Sequence, residues 1–165
     1  ILLSNDAERL DQTNEEILVQ LNQLPRKEIA QKALENSKSV LCSSIDECLE
    51  LSNYYAPEHL IIASENPDKY AGQVINAGSV FLGNYSCESA GDYASGTNHT
   101  LPTNGYARSY SGVSLDSFVR KITFQKLSED GIRNIGPAIE LMAEAEELYA
   151  HKNAVTLRLN SLKNV

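Results

Sequence analysis

Basic residues are scarce in this chain: 14 Lys and Arg stand against 22 Asp and Glu, a formal net charge of −8. Phosphate recognition needs clustered cations, and only Arg26-Lys27 and Arg120-Lys121 are adjacent basic pairs. That argues against a nucleic-acid partner or an anionic-membrane surface. No apolar run approaches the roughly 20 residues that cross a bilayer, so no membrane partner is expected either. The three cysteines, Cys42, Cys48 and Cys87, are odd in number and lack C-x-x-C spacing, which points to neither a disulfide framework nor a thiolate zinc site. They are expected to be reduced thiols of a cytoplasmic protein, Cys42 and Cys48 in the core and Cys87 exposed beside a polar loop. Neither G-x-G-x-x-G nor G-x-x-x-x-G-K-S/T occurs, so the chain has no phosphate cradle of its own. Internal repeats and low-complexity segments are missing as well. The chain opens on Ile1-Leu2-Leu3-Ser4 without Met or a signal-peptide layout, and it reads as a strand already under way in something longer.

What is present is enough for one domain with a core, or one modest domain and an appendage: 165 residues, 42% hydrophobic and 22% charged,. Leu10, Ile17, Leu18, Leu21 and Leu24 recur at helical spacing over residues 6–24, before Pro25. Residues 26–36 give a second helical stretch. Ser39-Val40-Leu41-Cys42 reads as a buried strand, and Ser44 with Glu47 three residues later predicts a capped helix. Leu60-Ile61-Ile62-Ala63 is the length of a parallel strand, Pro67 opens a helix to about Ile75, and Ser79-Val80-Phe81-Leu82 is a fourth strand. Strands alternating with helices imply an α/β fold with a parallel, doubly wound, Rossmann-like sheet portion. The polar stretch 83–112 reads as a long loop without strong periodicity. Residues 118–127 predict a strand. From Ser128 a helical stripe runs through Ile132, Ile135, Ile139, Met142, Ala145 and Leu148, with a kink or division expected at Gly136-Pro137. The expected division of the chain is 1–113, α/β, and 114–165, a strand plus a mainly helical tail.

The chemistry gathers in a few places. Gly91-Asp92-Tyr93-Ala94-Ser95-Gly96-Thr97-Asn98-His99-Thr100-Leu101-Pro102-Thr103 joins a carboxylate, an imidazole and hydroxyls to two glycines, with little to anchor a core. It suits a working loop as well as a plain surface connection. The three histidines, His59, His99 and His151, fall at element edges. Asp92, His99 and His151 with Glu88 or Glu146 form an oxygen-nitrogen set that zinc accepts, although no two histidines have the i, i+4 spacing of a helical zinc motif. Pro57-Glu58-His59 offers a carboxylate and an imidazole side by side. Both reach one substrate only at a strand end or in a turn, where they could handle two different protons. A charged loop before a strand is the simpler alternative.

Four blocks add a resemblance. Asn53-Tyr54-Tyr55-Ala56-Pro57-Glu58-His59-Leu60, Asn76-Ala77-Gly78-Ser79-Val80-Phe81-Leu82-Gly83, the run from Glu88 to His99, and Ala150-His151-Lys152-Asn153-Ala154-Val155 together resemble histidinol dehydrogenase, in order and over essentially the whole chain. The resemblance is to the C-terminal part of that enzyme. It implies a zinc- and NAD-dependent oxidation of L-histidinol through L-histidinaldehyde to L-histidine in histidine biosynthesis. It also implies roles: Glu58 and His59 as the acid-base pair, Asp92 and His151 as zinc ligands, and His99 and Glu146 beside the substrate, together with His59, Asp92 and His151. Family enzymes are homodimers with intertwined tails, so Glu146 and His151 would serve the partner's site. Two further zinc ligands, a glutamine and a histidine, and the NAD contacts lie upstream in the family, outside this sequence. Cys87 stands where a proline is common. Two other readings follow from these residues: a catalytically silent binding or dimerisation module, and a zinc hydrolase using Asp92, His99 and His151 with Glu58 as base.

Overall fold

The computed structural model describes residues 1–163. The chain divides into two compact units, Ile1–Val119 and Arg120–Val165.

In the first unit, β1 (Leu2–Ser4) leads into α1 (Ala7–Leu21), which starts where the Asp6 carboxylate accepts the Arg9 N–H at 3.2 Å,. Leu10 and Leu21 are its buried residues. After Pro25 comes α2 (Lys27–Leu34), and the chain returns as β2 (Ser39–Leu41), parallel to β1 with Leu3 opposite Val40. A parallel pair needs such a helical crossover. At the start of α3 (Ile45–Tyr55) the Ser44 hydroxyl accepts the Glu47 N–H at 3.1 Å, as Ser44 and Glu47 predict. The Glu47 carboxylate reaches back to the Ser43 hydroxyl at 2.6 Å and the Ser43 N–H at 2.5 Å. Those two bonds, the hydroxyl's first, hold its carboxyl below the ordinary carboxylate range,. Cys42 is buried and Cys48 half-buried. Burial, helped by a hydrogen bond with Cys42, pushes the Cys48 thiol up to about 11, so it behaves as a packed, unreactive group,. Cys87 is exposed.

Ala56 closes α3 in the left-handed conformation, φ 56° and ψ 66°, its N–H bonded to the Ser52 carbonyl at 2.8 Å. Then follow β3 (His59–Ile62), α4 (Asp68–Ala71) and β4 (Ser79–Leu82), β3 and β4 parallel with His59 opposite Ser79. The helix expected to reach Ile75 is one turn long. It stops at Gly72, and Asn53 takes up the N–H groups of Ile75 and Asn76 that a longer helix would use. The expected α/β arrangement with parallel strands is present, and the strands pair two and two, β1 with β2 and β3 with β4. Stretch 83–112 holds more regular structure than its polarity suggests: α5 (Glu88–Tyr93) and a 3-10 turn at Tyr106–Arg108, followed by a second such turn at Leu115–Phe118.

The second unit contains α6 (Glu129–Ala145) and α7 (Tyr149–Ser161). The strand expected at 118–127 does not form. Val119 through Lys126 has no regular structure, and its side chains are exposed with no strand beside them to complete a ladder among the described residues. The division expected at Gly136-Pro137 is missing too, because α6 runs through Pro137. One hydrogen bond is lost there, and α7 packs on the same stretch: a Cβ on Gly136 would stand 2.9 Å from Leu159 Cδ1. Lys152 Nζ meets Glu144 Oε2 at 2.7 Å, and the Thr156 hydroxyl bonds the Glu140 carboxylate, tying the two helices together. The hydrogen bond to Glu144 holds the Lys152 ammonium above its ordinary range against the opposing effect of desolvation.

Candidate active site

The site is assembled at the starts of β3 and β4. Pro57 and Glu58 are fastened by their carbonyls, which accept the Gly78 and Ser79 N–H groups, each at 2.9 Å. Only glycine fits at position 78, since a Cβ there would lie 2.5 Å from the Glu58 carbonyl oxygen,. His59 is the first residue of β3, so the two adjacent side chains sit at a strand end, the one place where both can serve a single substrate,.

The His59 ring stacks on Phe81 of β4, centroids 6.0 Å apart and planes 25° apart. Phe81 is 7% exposed and also receives α5, whose Gly91 comes so close that a Cβ would be 2.5 Å from Phe81 Cε1. This close approach carries Glu88 and Asp92, one turn apart on α5, to the imidazole. His59 Nε2 lies 3.8 Å from Glu88 Oε1 and 3.9 Å from Asp92 Oδ1, while Nδ1 lies 3.9 Å from Glu58 Oε1. Three carboxylates thus surround one imidazole, all beyond hydrogen-bond length. Nε2 is buried with no hydrogen-bond partner. A buried donor or acceptor left in this way is costly in a folded protein unless a bound group completes it. On the Glu58 side a cleft of 320 Å³ is lined by Tyr55, Ala56, Pro57, Glu58, Asn104, Gly105 and Arg108. The Arg108 guanidinium donates to the Tyr54 carbonyl and sits 5.6 Å from the centre of the Tyr54 ring.

Of the residues the sequence singled out, Glu58, His59, Glu88 and Asp92 come together. His99 is exposed in the loop beyond α5 and makes no ion pair or hydrogen bond with that cluster among the described residues. Glu146 and His151 belong to the second unit, both exposed: Glu146 ends α6, and His151 lies inside the first turn of α7 rather than between helical stretches. Among the described residues no three His, Cys, Asp or Glu side chains form a metal-holding group. Asp92 and His151 have the donor chemistry zinc takes, a carboxylate and an imidazole, but two ligands do not close a tetrahedron. Sequence reasoning missed Phe81 as the surface under the imidazole, and it missed the Asn53 contacts. The signal for Phe81 was its place in β4, opposite Ile61 two residues beyond His59.

The family model for histidinol dehydrogenase matches residues 1–159. The chain belongs to the histidinol dehydrogenase family. It is 64% identical over 163 residues to the histidinol dehydrogenase of Bacteroides thetaiotaomicron, covering 98% of this chain and 38% of that protein. The chloroplastic histidinol dehydrogenase of Arabidopsis thaliana is 53% identical over 163 residues, 99% of this chain and 35% of that one. A crystal structure of histidinol dehydrogenase from Elizabethkingia anophelis superposes with a TM-score of 0.90 at 64% identity, over 98% of this chain and 37% of that one. The chain therefore spans little more than a third of the length of these histidinol dehydrogenases. No helix among the described residues is long and apolar enough to cross a membrane.

Proposed function

We propose that this chain carries the acid-base groups and part of the zinc site for the NAD-dependent oxidation of L-histidinol, through L-histidinaldehyde, to L-histidine. One observation carries the reading: in a chain matching the family over residues 1–159, Glu58, Glu88 and Asp92 converge on the His59 imidazole. Each oxidation removes a hydride and a proton from one carbon–oxygen unit, and NAD is the hydride acceptor in both. His59 takes the alcohol proton at Nε2, the buried nitrogen that has no partner of its own,. Glu58 faces the other ring nitrogen and lines the cleft, which suits it to draw a proton from the water that adds to the aldehyde. The hydrate then loses the second hydride, leaving the carboxylate.

Asp92 and His151 are the zinc ligands in this reading, completed by a glutamine and a histidine from the rest of the protein. Zinc held there would orient the imidazole and amine of histidinol, and Asp92 as its ligand would help set where the substrate lies against His59. His99 and Glu146 contact substrate, and Glu146 and His151 reach it in the partner's site of a homodimer. The exposed Leu141, Met142 and Leu157 of α6 and α7 fit such a partner,. They equally fit a second reading, in which the 165-residue chain alone associates but does not catalyse. In this reading the protein works in the cytoplasm.

Histidinol-dependent NADH formation by the full-length protein tests the reading, with Glu58→Gln and His59→Asn alongside. Loss of a proton-transfer group is expected to lower kcat by about 10²- to 10⁴-fold. Undiminished turnover in both variants would remove the assigned roles, and turnover by the isolated chain would remove the second reading.

A further inference from the structure

The Pro57–Glu58 backbone is held from a distance by one amide side chain. Asn53, in the last turn of α3, uses both ends of its carboxamide. Oδ1 accepts the Ile75 N–H at 2.8 Å and the Asn76 N–H at 3.3 Å, and Nδ2 donates to the Gln73 carbonyl at 2.9 Å. Asn76 returns the contact by donating from Nδ2 to the Asn53 carbonyl at 2.9 Å. Two residues further on, Gly78 and Ser79 donate to the Pro57 and Glu58 carbonyls. A closed circuit results. It runs from Asn53 through the left-handed Ala56 to Pro57 and Glu58, across to Gly78 and Ser79, and back through residues 73–76 to Asn53.

We infer that Asn53, with Asn76, is a positioning residue for the Glu58–His59 pair. The inference rests on the catalytic reading proposed above for that pair. Ala56 is only 1% exposed and has φ 56°, a conformation that an alanine keeps only when its surroundings hold it,. Its own N–H is fixed on the Ser52 carbonyl at 2.8 Å, and the circuit holds the chain that follows it. Without the Asn53 carboxamide, residues 73–79 stay tied to the Glu58 strand end but keep only the Asn76 Nδ2 bond to the Asn53 carbonyl as their link to α3, and Ala56 is freer to relax toward ordinary backbone. Glu58 and His59 turn with it, away from the Nδ1 and Nε2 separations described above. Asn53 itself touches neither the imidazole nor the carboxylates, so its effect falls on the rate of the bound substrate rather than on its capture.

The test uses the full-length protein with Asn53→Ala, Asn53→Asp and Asn76→Ala. Asn53→Ala is expected to lower kcat by up to about 10²-fold, the loss that an ångström of misplacement brings, with KM changed less than about threefold. Asn53→Asp keeps the acceptor for Ile75 and Asn76 and recovers part of the rate, and Asn76→Ala, which removes one bond of the circuit, loses less than Asn53→Ala. Should Asn53→Ala fail to fold, the order of the other two against wild type decides. Hydrogen–deuterium exchange over residues 73–79 supplies a readout without substrate: faster exchange at Ile75 and Asn76 is expected in the Asn53 variants. A folded Asn53→Ala protein with kcat within about twofold of wild type, or unaltered exchange there, overturns the inference. Wild-type protein that does not oxidise histidinol would instead remove the catalytic reading, while the exchange measurement still decides whether the circuit holds the backbone.

Discussion

Glu58 and His59 in the first unit are placed by a backbone contact and Asp92 by a helix packed on a buried ring, whereas Glu146 and His151 in the second stand exposed on helices held together by longer side chains. Around His59, the backbone carbonyl of Glu58 abuts Gly78 and the edge of the buried Phe81 ring abuts Gly91, so β3 and β4 are matched by backbone and α5 by a ring with little room to turn. Between α6 and α7 the close approach at Gly136 is to the ends of the Leu159 side chain, which can rotate. The difference teaches what each unit must specify. In the function proposed above, proton transfer at His59 needs atoms placed to within a fraction of an ångström, while a residue offered to a partner subunit would need only a helix that stays folded.

The sharpest way to break this contrast is Gly78→Ala. The added Cβ would meet the Glu58 carbonyl oxygen at 2.5 Å, and the relief is to move the strand end that carries Glu58 and His59. Overpacking against backbone is expected to cost about 1–3 kcal/mol of stability. Activity of the full-length protein should fall further than that loss of folded protein explains, by about 10²-fold in kcat, because the displaced group is Glu58 itself. Retention of wild-type kcat in the folded variant would show that the backbone fit is not what places the pair.

The matching change in the helical unit, Gly136→Ala, should behave differently. Alanine gains about 1 kcal/mol of helix propensity over glycine, set against a Cβ at 2.9 Å from Leu159 Cδ1. A net loss of about 1 kcal/mol is expected, seen as a modest drop in melting temperature, with kcat within about twofold of wild type. A large loss of kcat without loss of stability would mean that α6 and α7 are held as tightly as the strand ends.

The same contrast explains what the sequence made legible. The parallel strands were readable because β3 and β4 are short apolar runs between helical stretches, and the capped start of α3 was readable from Ser44 and Glu47. Glu58 and His59 stood out as adjacent ionisable residues at a strand end. The extent of α4 was not readable, because Asn53, 22 and 23 residues away in sequence, accepts the Ile75 and Asn76 N–H groups that would have continued it. The strand expected at 118–127 failed for a similar reason: alternation marks a strand only where a neighbour exists to pair with it. Nor could periodicity reveal that α6 survives Pro137, since the compensation lies on α7. Local pattern told which residues could act, and non-local contacts, the Gly78 and Ser79 hydrogen bonds and the packing of Gly91 on Phe81, decided which of them meet.

The smallest expected effects separate the units by pH. Glu47 anchors the start of α3 in the first unit; its carboxyl is held below the ordinary value of 4.5 by the Ser43 hydroxyl and then the Ser43 N–H. A carboxyl lowered on folding stabilises the folded state above 4.5, and this contribution disappears as pH falls through the lower, folded-state value,. Lys152 ties α7 to α6 in the second unit, its ammonium raised above 10.5 first by the hydrogen bond to Glu144 and then by the charges of Glu144 and Glu140. Its contribution is complete below 10.5 and disappears as pH rises through the higher, folded-state value,. Melting temperatures of wild type, Glu47→Gln and Lys152→Gln across pH isolate each contribution, because the other titrating groups cancel in the difference. The wild-type advantage over Glu47→Gln should be present at neutral pH and close only on the acid side. The advantage over Lys152→Gln should be smaller in added salt, since that pair is partly exposed, and close only on the alkaline side,. Differences that stay constant across pH would mean that neither charge fastens its unit, and that hydroxyl geometry at α3 and apolar packing between α6 and α7 suffice.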